Sequence, residues 1–285
     1  MVGEWNFSPA GDDPAKILDE HWYMTPYYVT RGDYYQKPMF HLRGVNIEKE
    51  DYVAGPLEDW TNGALRFNGL DQYAVCADSL LNKPFGYTVN FRWNRQGRKE
   101  TYRVAGKDLK SPEIYDSNFL LEMYFKTEQG VTGGVLVKKM ETAGYSLEVN
   151  QRGGITFTIK GGGETARLES KARINDGRWH HVIAEADRAS GRLTLYINGK
   201  EDRCGSAIEQ GIPLSNQADL FVGGTPSGNY FKGTLDFLRI GLGTLADSRT
   251  DIDELVAWQF RGPFLKDFAG NEPAGKRDAG ALEKR

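Results

Sequence analysis

Cysteine is nearly absent from this chain: Cys76 and Cys204 are the only two among 285 residues. Two thiols cannot make the disulfide framework that holds small secreted domains together, so stability has to come from a core, and both are expected to be buried thiols, with a single bridge between them as the alternative. Histidine is scarce as well, with four residues, and no Cys–His spacing suits zinc. An excess of positive charge is missing: the net charge is −3 and no basic block occurs, which disfavours nucleic acid as a partner. No apolar run approaches the ~20 residues of a membrane helix. Met1–Trp5 lacks the basic start and apolar centre of a secretion leader. There is no Ser–His–Asp order and no phosphate-binding loop. Gly161-Gly162-Gly163 has no helix pattern after it and reads as a turn.

Glycine is abundant, at 34 residues, and hydrophobic residues make up 39% of the chain, enough for a sizeable core with many turns. Short alternating segments recur between Gly, Asn and polar turns. They are Ala64–Val75, Tyr87–Trp93, Asn118–Thr127, Gly133–Lys139, Tyr145–Val149, Gly154–Ile159, Leu220–Gly224 and Gly233–Ile240. That spacing predicts an all-β sandwich or barrel rather than βαβ units. The clearest stretch runs from Ile174 to Lys200. Val182, Ala184 and Ala186 alternate with His181, Ile183 and Glu185, and Leu193, Leu195 and Ile197 alternate with Thr194 and Tyr196. Arg188–Gly191 closes the two strands into a hairpin, and Asn198-Gly199 predicts a second tight turn.

Asp176-Gly177-Arg178-Trp179-His180-His181-Val182, followed by Asp187, Gly191 and Leu193–Lys200, resembles the central hairpin of laminin G-like domains in the concanavalin A-like lectin/glucanase group. Ala64–Val75 resembles their opening strands, and Gly233–Ile240 their closing strand. The resemblance implies a concanavalin A-like β-sandwich (jelly roll) of two antiparallel sheets. It says little about function, because the fold carries lectins, adhesion modules, hydrolases and lyases. It also implies one structural calcium between an early turn and the closing strand. By position the ligands would be Asn68, Gly69, Asp71 and Asp236, with a plain turn at Asn68–Asp71 as the alternative.

Residues 1–60 read as an N-terminal arm, 61–260 as the sandwich and 261–285 as a tail. The arm is crowded with Trp22, Tyr23, Tyr27, Tyr28, Tyr34, Tyr35 and Phe40. These rings either pack against the sheet or offer stacking surfaces to sugar rings, and packing accounts for more of them. Asn94–Ser117 reads as an inserted loop or hairpin, either a solvated face or a basic rim for an anionic ligand. Thr250–Phe260, with a polar cap and acids in its first turn, predicts a short helix. The tail from Gly262 to Glu283 resembles the closing segment of secreted bacterial right-handed β-helix proteins that act on polysaccharides. That points to a larger extracellular or periplasmic carbohydrate-processing chain.

The carboxylate strand of a laminarinase-like hydrolase, which would set two acids ~5–5.5 Å apart, has no match. Tyr124-Phe125-Lys126 resembles one alginate lyase strand but lacks its partner motifs. His180 shares a face with Val182 and Ala184 and is expected to be a hydrogen-bonded core residue. His181, Glu185 and Tyr196 share the other face. The expected function is therefore non-catalytic binding of a polysaccharide or oligosaccharide on that outward face, with Arg95, Arg98 and Arg103 at its rim. An unrecognised lyase or hydrolase, and an accessory module without ligand, stand as alternatives.

Overall fold

Two runs of alternating side chains facing each other explain the architecture of the computed structural model. It describes residues 3–9, 11–18, 41–56, 63–76, 90–93, 99–102 and 114–245. The strands in chain order are β1 (Gly3–Asn6), β2 (Lys16–Ile17), β3 (Leu42–Val45), β4 (Tyr52–Val53), β5 (Ala64–Asn68), β6 (Tyr73–Cys76), β7 (Asn90–Trp93), β8 (Lys99–Tyr102) and β9 (Phe119–Thr127). They continue with β10 (Val135–Met140), β11 (Gly144–Val149), β12 (Ile155–Gly161), β13 (Glu164–Glu169), β14 (Trp179–Asp187), β15 (Arg192–Ile197), β16 (Lys200–Ser206), β17 (Leu220–Val222) and β18 (Lys232–Leu242).

One antiparallel sheet has the order β16-β15-β14-β9-β18-β5-β4, with β1 also on β18; the other runs β13-β12-β11-β10-β17-β6-β3-β2. Phe119, Leu121, Met123, Phe125, Val182, Ala184, Leu193 and Leu195 of the first sheet face Leu136, Tyr145, Leu147, Phe157 and Ile159 of the second, and all are buried. At about 25 cal/mol per Å² of apolar surface removed from water, this layer is the main stabilising term. β7 and β8 form a separate two-stranded ribbon.

Residues before 61 supply strands to both sheets: β1 and β4 to the first, β2 and β3 to the second. Trp5 and Phe7 are fully buried. The aromatic residues from Trp22 to Tyr35, the helix expected at 250–260 and the tail lie outside the described residues.

The central hairpin forms with its loop at Arg188–Gly191 as expected, in a register from Val182↔Ile197 to Asp187↔Arg192. Asn198 and Gly199 both have positive φ, 52° and 76°, as a two-residue turn that follows the twist of its strands requires. Gly162 and Gly163 also have positive φ and form a turn. β13 and β16 were not anticipated. Only Leu168 is buried in β13, and β16 is almost wholly exposed, because both are edge strands without an alternating apolar signal. Cys76 is buried, but Cys204 is an exposed free thiol, since it lies on that edge strand.

Candidate functional site

His181, Glu185 and Tyr196 do stand on one face, as a period of two requires, but the centre of that face is not open. Leu120 and Ile183 are buried there, with Tyr196 and Leu245 packed against them. Glu185 is buried, and its carboxylate accepts a hydrogen bond from Leu245 N at 2.6 Å. The segment after β18 therefore crosses the hairpin and removes the acid from solvent. Burial raises the Tyr196 phenol above its usual value, and the Glu185 and Glu201 charges add to the effect.

Alongside, Glu122 is fully buried between His181 and Arg239. His181 Nε2 donates to Glu122 Oε1 at 2.7 Å, and Arg239 Nη2 donates to Oε2. Burial pushes the Glu122 carboxyl up, but Arg239 and the His181 hydrogen bond outweigh it and hold the acid below its ordinary range. Tyr124 stacks parallel on Trp179 with centroids 5.7 Å apart, and Lys126 Nζ stands 5.3 Å from the Trp179 centroid. These rings pack on one another and on an ammonium group. His180 is the hydrogen-bonded core residue expected. Asn198 Nδ2 donates to its Nδ1 at 3.1 Å, so Nε2 carries the proton that meets Asp176 Oδ1 at 2.9 Å.

The four residues matched to a calcium site do not converge. Asn68 pairs with Lys232 and Leu65 with Leu235, which sets Asp236 beyond the far end of β5 from Asn68. Asn68 Oδ1 accepts Leu70 N at 2.8 Å, and Asn68 Nδ2 donates to Asp71 Oδ1 at 2.8 Å, so these donors close the Gly69 turn itself. Asp71 Oδ2 also accepts from Asn46 Nδ2 at 3.1 Å. Asp236 is buried where β18 bulges against β9, packed on Gly55. This donor set does not fit a single ion. Among the described residues no group of three His, Cys, Asp or Glu side chains is placed to hold a metal. Arg95, Arg98 and Arg103 lie outside the described residues.

A different site stands where the two sheets meet. The edge strands β13 and β16 lie against each other and, with the turn between β11 and β12, enclose an open groove of about 590 Å³. Arg152, Arg167, Lys171, Arg173 and Arg203 line it, against one carboxylate, Glu169. The floor is tightly built. Asn150 Oδ1 accepts Arg152 N at 2.9 Å and Gly154 N at 3.0 Å. Ser170 Oγ accepts Ile155 N at 2.8 Å and donates to Ala172 O at 2.7 Å. A Cβ on Gly154 would sit 2.7 Å from Ser170 Oγ, so only glycine lets the turn close on that segment.

Asp202 of β16 reaches across to accept Lys171 N at 2.6 Å and Ala172 N at 3.0 Å, tying one sheet edge to the other. Ile174 N donates to Gly153 O at 2.8 Å, and Thr127 Oγ1 donates to Ile174 O at 2.7 Å, fixing the backbone after Arg173. Five cationic side chains thus leave a backbone held in place, which is what a preorganised site needs. The basic rim expected within Asn94–Ser117 is not this groove, whose sequence signal is Arg167, Lys171 and Arg173 in one short run.

Residues 105–248, half of the chain, match the family model described as Laminin_G_3, Concanavalin A-like lectin/glucanases superfamily. Human (Homo sapiens) laminin subunit alpha-1 is 26% identical over 213 residues, covering 70% of this chain and 6% of that protein. Human laminin subunit alpha-3 is 30% identical over 112 residues, 39% of this chain and 3% of that protein. The chain thus spans only a small part of the length of these relatives. Among solved structures, the receptor binding domain of botulinum neurotoxin D aligns over 95% of this chain and 55% of its own, with 12% identity and a TM-score of 0.49. With the family match spanning half its length and two sheets packed as that fold requires, the chain belongs to the laminin G-like family of the concanavalin A-like lectin/glucanase superfamily.

Proposed function

We propose that this domain binds a polysaccharide or oligosaccharide without cleaving it, and that the ligand lies in the groove between β13 and β16. The observation that carries the reading is a preformed cavity of about 590 Å³ whose polar side chains leave a hydrogen-bonded backbone. Cavities of ~300–1,000 Å³ are the size that buries a small ligand or a short chain segment. Leu168 and Ala172 give the wall some apolar surface for sugar C–H groups, and the guanidinium groups supply donors for hydroxyls.

A binding role also suits the rest of the sheet. Glu122 is held by Arg239 and His181, and Glu185 by Leu245, so neither is poised to protonate a glycosidic oxygen. The laminin match favours a place outside the cytoplasm, secreted or periplasmic, and a role as one module of a larger chain.

The test is calorimetry against a panel of neutral and acidic polysaccharides, with chromatography of the mixtures afterwards. Saturable binding that weakens in Arg173→Ala, with chains left at full length, supports the reading. Shortened chains or new unsaturated ends would transfer the protein to the enzyme class, and silence across the panel would remove carbohydrate as the partner.

A further inference from the structure

We infer that the groove is selective for an anionic glycan, sulfated or carboxylated, and that Glu169 is an internal competitor occupying part of the ligand's place. This rests on the binding role proposed above and names its substrate class.

Glu169 forks between two guanidinium groups. Its Oε1 accepts from Arg167 Nη2 at 2.9 Å, and its Oε2 accepts from Arg152 Nη2. Two guanidinium groups sharing the oxygens of one oxoanion is an arrangement that recognises a uronate carboxylate, and two oxygens of a sulfate can meet the same pair. The acid therefore marks an oxoanion position with the protein's own side chain. The mark is weakly held, because Arg152 and Arg167 are 72% and 58% exposed at their side chains, and exposed ion pairs exchange easily with solutes.

Around this fork Lys171, Arg173 and Arg203 line the same groove and form no ion pair among the described residues. The nearby acid Asp202 turns both oxygens to backbone N–H groups of the floor, so it offsets part of the positive charge without pairing with any one of these cations. On a chain whose net charge is −3, a groove with five cations against Glu169 and the adjoining Asp202 is still a local reversal of sign. Such a concavity focuses field and draws in anions. Two points of the ligand are thus addressed: one oxoanion displaces Glu169 from Arg152 and Arg167, and others meet Lys171, Arg173 and Arg203. The cations line a concave groove rather than a flat face, which favours a flexible charged chain over a lipid surface.

The experiment uses the full chain and titrates heparin, a polyuronate and a neutral β-glucan, with phosphatidylserine vesicles as a separate arm. Heparin or the polyuronate is expected to bind, with a log–log salt slope of about −2 to −3 if each neutralised oxoanion releases roughly one counterion. Arg173→Ala and Arg203→Ala should each weaken it about five- to tenfold, and Glu169→Gln should tighten it roughly three- to tenfold, as charge-assisted pairs are lost or released.

Melting curves check that each variant folds, and Arg173→Lys should keep part of the affinity. The Glu169→Gln gain is a readout that mere loss of structure cannot produce. Equal binding of neutral and acidic chains, insensitive to salt and to Glu169→Gln, overturns anion selectivity while leaving carbohydrate binding intact. No binding to any glycan overturns both, and stronger capture by vesicles than by heparin assigns the groove to a lipid surface instead.

Discussion

Arg188 should be among the most costly polar side chains to remove. It follows β14 in the hairpin loop, is 1% exposed, and points its guanidinium inward. Nε donates to Ile208 O at 3.3 Å, Nη1 to Tyr115 O at 3.1 Å, and Nη2 to Glu209 O at 2.7 Å and to Ile212 O. Its backbone N donates to Asn118 Oδ1 at 2.8 Å. One residue thus ties the segment before β9, the hairpin loop and the stretch 208–212 together. Burial pulls the guanidinium below its usual pKa, with Asp116 partly opposing, yet arginine stays charged across the working range.

In Arg188→Met the stem still packs, but four carbonyls lose a charged donor. Hydrogen bonds to charged groups are worth about 1.5–3 kcal/mol each, and carbonyls near the surface recover part of that from water. A net cost of about 3–5 kcal/mol follows, which at ~2–4 °C per kcal/mol lowers Tm by about 6–20 °C. Arg188→Lys has one ammonium for a fork-shaped task and should lose about half as much. Thermal denaturation followed by near-ultraviolet circular dichroism decides the matter. If Met and Lys variants melt within 2 °C of the parent, the carbonyl cluster is held by the backbone alone and the reasoning fails.

Glu122→Gln should destabilise by about 3–5 kcal/mol, because Arg239 then keeps a buried charge without its carboxylate. The folded pKa of Glu122 lies below the unfolded one, so its contribution is full above the unfolded value and fades as pH falls through the folded value. The acid limb of stability against pH should flatten in Glu122→Gln, and an unchanged limb would show that other acids set it. Gly223→Ala places a methyl into the Phe67 ring at a φ of 79°, so a loss of about 2–3 kcal/mol is expected in urea titration; a neutral result would mean the ring moves freely. Asp71→Asn and Asp236→Asn should have additive effects on Tm with or without calcium, as they lie at opposite ends of β5. A calcium-dependent coupling between them would restore the shared ion. Removal of residues 1–58 should abolish cooperative unfolding, since four strands go with them, and a truncated chain with a sharp melt would contradict that.

The sandwich was legible because its strands alternate apolar residues between Gly, Asn and polar turns, and the hairpin at 179–197 was legible in its strands and loop, although β9, β14 and β18 are buried on both faces along much of their length. What escaped has a physical cause in each case. β13 reads Glu-Thr-Ala-Arg-Leu-Glu and β16 reads Lys-Glu-Asp-Arg-Cys-Gly-Ser, edge strands paired on one side only, with little apolar content to betray them. The groove sits between these two strands, so missing them meant missing it. The outward hairpin face looked open because Glu185, Thr194 and His181 are polar. Glu185 is covered by Leu245, about 60 residues away in the chain, and His181 is turned onto Glu122, whose ion pair with Arg239 local pattern cannot reveal. The calcium set failed on register, since nothing in Asn68–Asp71 and Asp236 taken singly says how far β18 slides along β5.

The position of β18 sets a clock on biosynthesis. It lies in the middle of its sheet, beside β9, β5 and β1, yet it is the last strand in the described chain. Roughly 100 residues separate the end of β9 from its start, so at translation rates of about 5–20 residues per second β9 waits some 5–20 s for its partner. During that wait Phe119, Leu121, Met123 and Phe125 line a strand with an open edge, a template for pairing with a neighbouring nascent chain. A sandwich so arranged closes only once β18 has been made, rather than piece by piece. Its yield in a cell should depend on holdase chaperones and on low expression rate more than on the stability of the finished sandwich.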